Sequence, residues 1–235
     1  MPFQGFADPD ARFFRLLAKN QKREWFQARK AEFEAGYQEP LKELLAEVLA
    51  GVDASFEHCD LDAPKVFRIF RDVRFSKDKS PYKTHLGGLI PTRRQGKVTE
   101  VPMALYFHVG EPRSFGAAGH YMLSSEQLAK FRAAVADEGR GRELDKLLAV
   151  LKKQGFSVDS HDHYQRVPKG YDPAHPRAEH LKRKGLTVGF PELPSGILAS
   201  RKLLPWLVKH VKRAAPLDSS YAVLEEKIAI AAGGR

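Results

Sequence analysis

The chain has 235 residues, 43% hydrophobic and 29% charged, and its 39 Lys and Arg against 29 Asp and Glu leave a formal charge of +10. That balance fits a soluble globular protein and favours phosphate-bearing partners: nucleic acid, nucleotides or an anionic surface. No eighteen-residue apolar run marks a membrane span, the start MPFQGFADPDARFF lacks the basic region of a signal peptide, and the lone Cys59 excludes both an intramolecular disulfide and a thiolate zinc site while fitting a reducing cytoplasm.

In chain order, Asp8-Pro9 is set to open a first helix, with an acceptor side chain followed by proline. Phe13, Phe14 and Leu17 share one face of it. Asn20 is placed to cap a second helix carrying Trp25, Phe26, Phe33 and Tyr37, with both Trp25 and Phe26 expected in the core. Leu41, Leu44, Leu45, Val48, Leu49 and Val52 then recur at helical spacing behind Pro40.

After a turn-rich break at Asp60 to Pro64, the stretch KVFRIFRDVRFSKDKSPYKTH predicts a strand over Lys65 to Phe70 and an ordered loop beyond it. Arg68 is expected on the face opposite Phe67 and Ile69, with a bulge or strand end near Arg71. Thr84 to Pro91 reads as the next strand, in which Gly87-Gly88 permits a close approach. Val101, Met103, Leu105, Phe107 and Val109 alternate with Tyr106 and His108, the pattern of a half-buried strand. Ser114 to Tyr121 returns as a short strand or loop, with His120 in a loop.

Ser124 and Gln127 form a capping box for a helix to about Asp137, and a leucine-rich helix closes at Gly155. SVDSHDHYQRVPKGYDPAHP reads as a polar connection, followed by a short helix from Pro176 and a strand at Leu186, Val188 and Phe190. Two final helices are expected, one over Leu204 to Val211 and another capped by Asp218 with Tyr221, Leu224 and Ile228. With no repeat and no linker, the prediction is one α+β domain over the whole chain: a helical cover (about 8–52), a strand-rich core (about 64–121) and a mixed C-terminal part (about 124–230), its sheet mainly antiparallel.

If the central strands are neighbours, Arg68, His85, Tyr106 and His108 share one surface, overhung by Lys77, Lys79 and Tyr82. Guanidinium forks bind phosphate or carboxylate oxygens in pairs, and histidine or tyrosine adds a proton donor. Crowded cations require counter-charge, from a ligand or from the protein. The internal sources are Asp72, then Asp78, and more distantly Glu100 or Glu111. A small anionic ligand, a nucleic acid stacked on Phe67, Phe70, Phe75 and Tyr82, and a purely structural Arg–Asp network all stay open, the first ranked above the second because most of those aromatic residues are expected to be buried. Were there a reaction, His85 or His108 is the proton-transfer candidate. No dinucleotide, P-loop, nucleophile-elbow or HExxH motif is present, and Asp159-Ser160-His161-Asp162-His163 lacks the spacing of a metal motif.

RIFRDVRFSKDKSPYKTH resembles the signature of a bacterial family of conserved hypothetical proteins, an Arg-x-x-Arg-Asp-x-Arg-Phe run leading to Lys and Tyr; the matching positions are Arg68, Arg71, Asp72, Arg74, Phe75, Lys79 and Tyr82. KNQKREWF resembles the family's Asn-rich segment before Trp-Phe, with Gln21 where a second Asn is common, and RVPKGYDPAHP resembles its later Pro-Lys/Arg-Gly and His-Pro motif. The resemblance brings no activity with it. The expected anion-binding set is Arg68, Arg71, Arg74, Lys79, Tyr82, His85, His108 and Lys169, with Asp72 as counter-ion.

Overall fold

Alternating apolar segments pair into a six-stranded sheet of order β1-β2-β3-β4-β6-β5: β1 (Lys65–Val66), β2 (His85–Pro91), β3 (Met103–Gly110), β4 (Phe115–His120), β5 (Ser157–Asp159) and β6 (Leu186–Gly189). Every neighbouring pair is antiparallel, as the α+β reading requires. The computed structural model describes residues 2–56, 60–74, 77–92 and 102–232, with side chains as far as Leu217. His58, Cys59, Phe75, the turn at 93–96, Glu100, Val101 and the tail 233–235 lie outside the described residues, as do the side chains of Tyr221, Leu224 and Ile228.

The helices precede and follow this sheet. They are α1 (Arg12–Lys19), α2 (Arg23–Gln27), α3 (Lys30–Phe33), α4 (Glu39–Val52), α5 (Ser125–Ala136), α6 (Glu138–Lys153), α7 (Ala178–Leu181) and α8 (Leu203–Ala232). The capping box forms as expected: Ser124 Oγ accepts from the Gln127 amide, and Gln127 Oε1 accepts from the Ser124 amide. α6 ends before Gly155, whose φ of +88° suits glycine.

Several boundaries depart from the sequence pattern. α1 begins at Arg12 rather than after Pro9, and Asp8 caps it from a distance through its carboxylate. Asn20 closes α1 instead of opening the next helix. The expected second helix is divided into α2, α3 and a π-helical turn at Glu34–Gln38. Asp218 caps nothing, because α8 runs unbroken through Pro216. Ser157–Asp159, read as polar connection, pairs with β6 because Val158 alone has to reach inward. His120 sits within β4 and is buried, not in a loop.

A cluster of buried residues extends from Phe3 to Leu217 and draws on one face of the sheet: Leu86, Ile90, Leu105, Phe107, Val109, Ala118, Leu186 and Val188. Gly88 lets α4 lie close on that face, since a β-carbon there would stand 2.6 Å from Leu45 Cδ1. The residues alternating with these, among them Leu89, Tyr106, Phe115 and Ala117, stay outside the cluster. Register irregularities after Ile90 and after Met103 put Ala104 in the core and Met103 outside it, so the strict alternation predicted for β3 fails at its start.

Candidate functional site

The basic stretch makes two residues of regular strand and then continues as a bulged ladder. Phe67 N donates to Gly87 O at 2.8 Å, Lys83 N to Ile69 O at 2.9 Å and Arg71 N to Pro81 O at 2.9 Å. Phe70 and Tyr82 form an isolated antiparallel bridge. The predicted strand is therefore too long, while the predicted irregularity before Arg71 is present. The bulge separates Phe67 from Ile69: Ile69 enters the core, and Phe67 lies against Tyr106 on the other face, with ring centroids 6.4 Å apart.

The predicted residues fall into three groups. Arg74 and Lys79 are tied into the loop itself. Arg74 makes a forked pair with Asp72, at 3.0 Å from Nε to Oδ1 and 2.7 Å from Nη2 to Oδ2, and Lys79 Nζ donates to Val73 O at 2.9 Å. The Arg74 guanidinium, which donates to Asp72 through side chain and backbone, holds that carboxyl down at about 2. Tyr82 does not overhang the surface. It is 2% exposed, stacks on Phe26 at 4.6 Å, and its amide donates to Gln21 Oε1 at 3.0 Å. Lys169 is exposed in the connection between β5 and α7, and no contact among the described residues ties it to Arg68 or Arg71. Glu111 pairs with Arg15 at 3.3 Å rather than with the central arginines.

The remaining residues converge. Arg71 Nη1 is 3.3 Å from Asp78 Oδ2, while its Nε is buried without a hydrogen-bond partner among the described residues. Arg68 is exposed, with no ion pair among the described residues, and its carbonyl accepts from Lys83 Nζ at 3.1 Å. Burial, then Arg68 and Arg71, push the Lys83 ammonium below its usual range. Lys83 was not in the predicted set. The signal for it was its spacing: it stands two residues before His85, on the same side of an extended chain.

His85 and His108 stack across β2 and β3 with centroids 4.1 Å apart and planes inclined 25°, and His108 stacks on Phe115 of β4 at 4.8 Å and 19°. His108 Nε2 lies 3.3 Å from Glu111 O, which can only accept, so in the neutral ring Nδ1 accepts from Tyr106 Oη at 3.3 Å. Burial, then His108, Lys83 and Arg71, hold His85 down at about 4; burial also lowers His108 and holds the Tyr106 hydroxyl up at about 12. Near neutral pH both rings are uncharged and the tyrosine is a hydrogen donor.

A test of stability follows. The folded state depresses His85 relative to an unfolded value near 6.5, so the unfolded chain takes up the proton first. Stability is complete above about pH 6.5 and is lost as pH falls towards about 4. Urea unfolding between pH 7 and 4.5 is expected to show this decline, and His85→Gln to flatten it. An equal slope in the variant would exclude His85 as its source.

The side chains of the D-x-H-D-H segment are engaged separately. Asp159 accepts from the Ser160 amide, Asp162 pairs with Lys184, and His161 stacks on Tyr121 with a 2.6 Å hydrogen bond. No set of three or more His, Cys, Asp and Glu side chains among the described residues comes together as a metal site.

Residues 10–219 match the family described as conserved hypothetical protein DUF2461. The chain belongs to this family. No curated protein and no solved structure matches it. Among the described residues no helix is long and apolar enough to cross a membrane. Membership in DUF2461 covers nearly all of the segments just described, including Arg177, which sequence reasoning missed. This arginine is 6% exposed and binds Val135 O at 2.7 Å and Asp137 O at 3.3 Å, with Glu138 and Asp145 beside it at 3.2 and 3.5 Å. Its only signal was the neighbouring His-Pro of the third resembling stretch.

Proposed function

We propose that this DUF2461 chain binds a small molecule bearing a phosphate or carboxylate, at the corner formed by Arg68, Arg71 and Lys83 beside His85. One observation carries the reading. The Lys83 ammonium lies in the field of Arg68 and Arg71, and its only described hydrogen-bond partner is a neutral carbonyl. Asp78 offsets part of the Arg71 charge, and the buried Arg71 Nε supplies a donor still to be met. An anion here gains charge-assisted hydrogen bonds and removes repulsion among the cations. Arg74 and Lys79 serve a different purpose, bracing the loop that carries Asp78. The structural network thus accounts for the outer cations and leaves the inner ones to the ligand.

The test is calorimetric titration of the full chain with inorganic phosphate, pyrophosphate and citrate, paired with thermal unfolding. Saturable binding is expected, with a stability gain of about 2.7 kcal/mol at a hundredfold excess over Kd. Lys83→Met is expected to weaken binding about tenfold while keeping the fold, since Lys83 is not part of the core. Wild-type protein that shows no saturable heat or melting shift with any of the three would overturn the reading.

A further inference from the structure

The open face of the sheet beside that corner has a shape of its own. Tyr106 lies towards β2 with its hydroxyl end above Gly87, where a β-carbon would stand 2.8 Å from Oη and 3.1 Å from Cε2. Phe67 is inclined 48° to the Tyr106 ring at 6.4 Å, and Phe115 is inclined 53° to it at 5.8 Å. These two come from opposite directions along the sheet, Phe67 beyond β1 and Phe115 from β4, so Tyr106 is a floor between inclined walls. All three rings are only half-buried and none packs against the main core. Apolar rings left off a large core without a cover are a binding surface more often than a packing remnant.

Charge at the rim selects what such a floor receives. Lys83 Nζ stands 5.8 Å from the centre of the Phe67 ring, and the Arg113 guanidinium 6.0 Å from the centre of Phe115. The aromatic floor is thus continuous with the corner where Arg68 and Arg71 meet Lys83. No carboxylate contacts the three rings among the described residues.

We propose that Tyr106, between Phe67 and Phe115, stacks the planar aromatic ring of the ligand whose anionic group sits at Arg68, Arg71 and Lys83. The ligand class is a small aromatic anion, and a mononucleotide fits it: a ring for the floor, a spacer, and a phosphate for the corner. This inference rests on the anion-binding reading and narrows it. A base stacked on an aromatic side chain gains from about fivefold to a hundredfold in affinity. The Tyr106 hydroxyl and the neutral His108 beside it supply polar groups at the edge of the floor.

The experiment compares inorganic phosphate, AMP, UMP, adenosine and 4-hydroxybenzoate by calorimetry on the full chain, in wild type, Tyr106→Leu and Gly87→Ala. Tyr106→Leu keeps an apolar side chain on the sheet, and Gly87→Ala displaces the tyrosine ring from beneath, so the two variants reach the floor by different routes. The expected result is AMP or UMP bound about tenfold or more tightly than phosphate, with the advantage lost in both variants and phosphate affinity unchanged. The same pattern for 4-hydroxybenzoate over acetate assigns a carboxylate ligand of the same class. AMP and phosphate bound equally in wild type would overturn the stacking inference and leave the anion corner standing. Adenosine bound as tightly as AMP would overturn it as well, since the ring would then act without the corner. If none of the anions binds, both readings fall together. Tighter binding of a single-stranded oligonucleotide in proportion to its length, falling steeply with salt, overturns the small ligand in favour of nucleic acid.

Discussion

Replacing Arg177 with alanine is expected to destabilise the chain by about 3 kcal/mol or more, the cost of leaving buried acceptors without their donor. Arg177 lies where α5 ends and α6 begins. Its Nε donates to Val135 O and one Nη to Asp137 O, carbonyls that face inward at the end of α5. The other contacts, to Glu138 and Asp145, add charge to the same fork. The Arg177 amide is itself fixed, donating to His175 Nδ1 at 3.0 Å, so the His-Pro-Arg sequence delivers the side chain in one orientation. Arg177→Lys is expected to recover little, because one ammonium cannot reach carbonyls on two sides as a planar fork does. Gly141→Ala attacks the same arrangement from the opposite wall, since its β-carbon would collide with the Arg177 guanidinium and Val135 O. For a chain of this size each kcal/mol lowers Tm by about 2–4 °C. Melting temperatures for Arg177→Ala and Gly141→Ala within a degree or two of wild type would mean that the carbonyls find other donors.

The stretches that carry the family resemblance lie far apart in the chain, and the structure assigns them to two places. Gln21 and Phe26 meet Tyr82 directly, so the N-terminal Trp-Phe segment and the end of the basic run form one contact. Residue 21 needs an amide oxygen that reaches the Tyr82 N–H, and Gln supplies one. The third stretch serves the α5–α6 junction through Arg177 instead, which is why Lys169 has no part in the basic corner. Helix positions and the inward faces of the strands were legible because burial imposes a period on the sequence. The bulge at Phe67 to Ile69 was not, because one extra residue exchanges the faces of all that follow without altering composition. Tyr82 was misplaced for a related reason. A tyrosine in a charged run looks solvent-facing, yet the bridge with Phe70 turns it onto Phe26. The corner itself was legible as a density of cations. Which of them are already paired was not, since Asp72 and Asp78 are equally close in sequence and choose partners by loop geometry.

Asp8→Ala is expected to cost about 2–3 kcal/mol, combining the loss of a helix cap with the loss of a buried hydrogen bond. The Asp8 carboxylate accepts from the Arg12 amide at 3.1 Å and the Phe13 amide at 2.7 Å, meeting N–H groups at the start of α1. It also accepts from Tyr37 Oη at 2.7 Å, and that tyrosine is 1% exposed within the core. Burial pushes the Asp8 carboxyl up, but the hydrogen bonds from Phe13, Tyr37 and Arg12 outweigh it and hold the group below its usual range. Burial, and then the bond and charge of Asp8, raise Tyr37 far above the ordinary phenol, so it remains a donor at every working pH. The sign of the pH effect follows from the depressed carboxyl. Its contribution is present above the unfolded value of 3.8 and is lost as pH falls through the lower folded value. This loss lies below the window in which His85 titrates, so the acid limb of stability should fall in two stages, the first removed by His85→Gln and the second by Asp8→Ala. Tyr37→Phe keeps the ring in the core and leaves the helix cap intact, so its cost should be nearer 1 kcal/mol. Urea unfolding of the three variants at pH 7 gives the order directly: an Asp8→Ala protein no less stable than Tyr37→Phe would show that α1 does not depend on this carboxylate for its start.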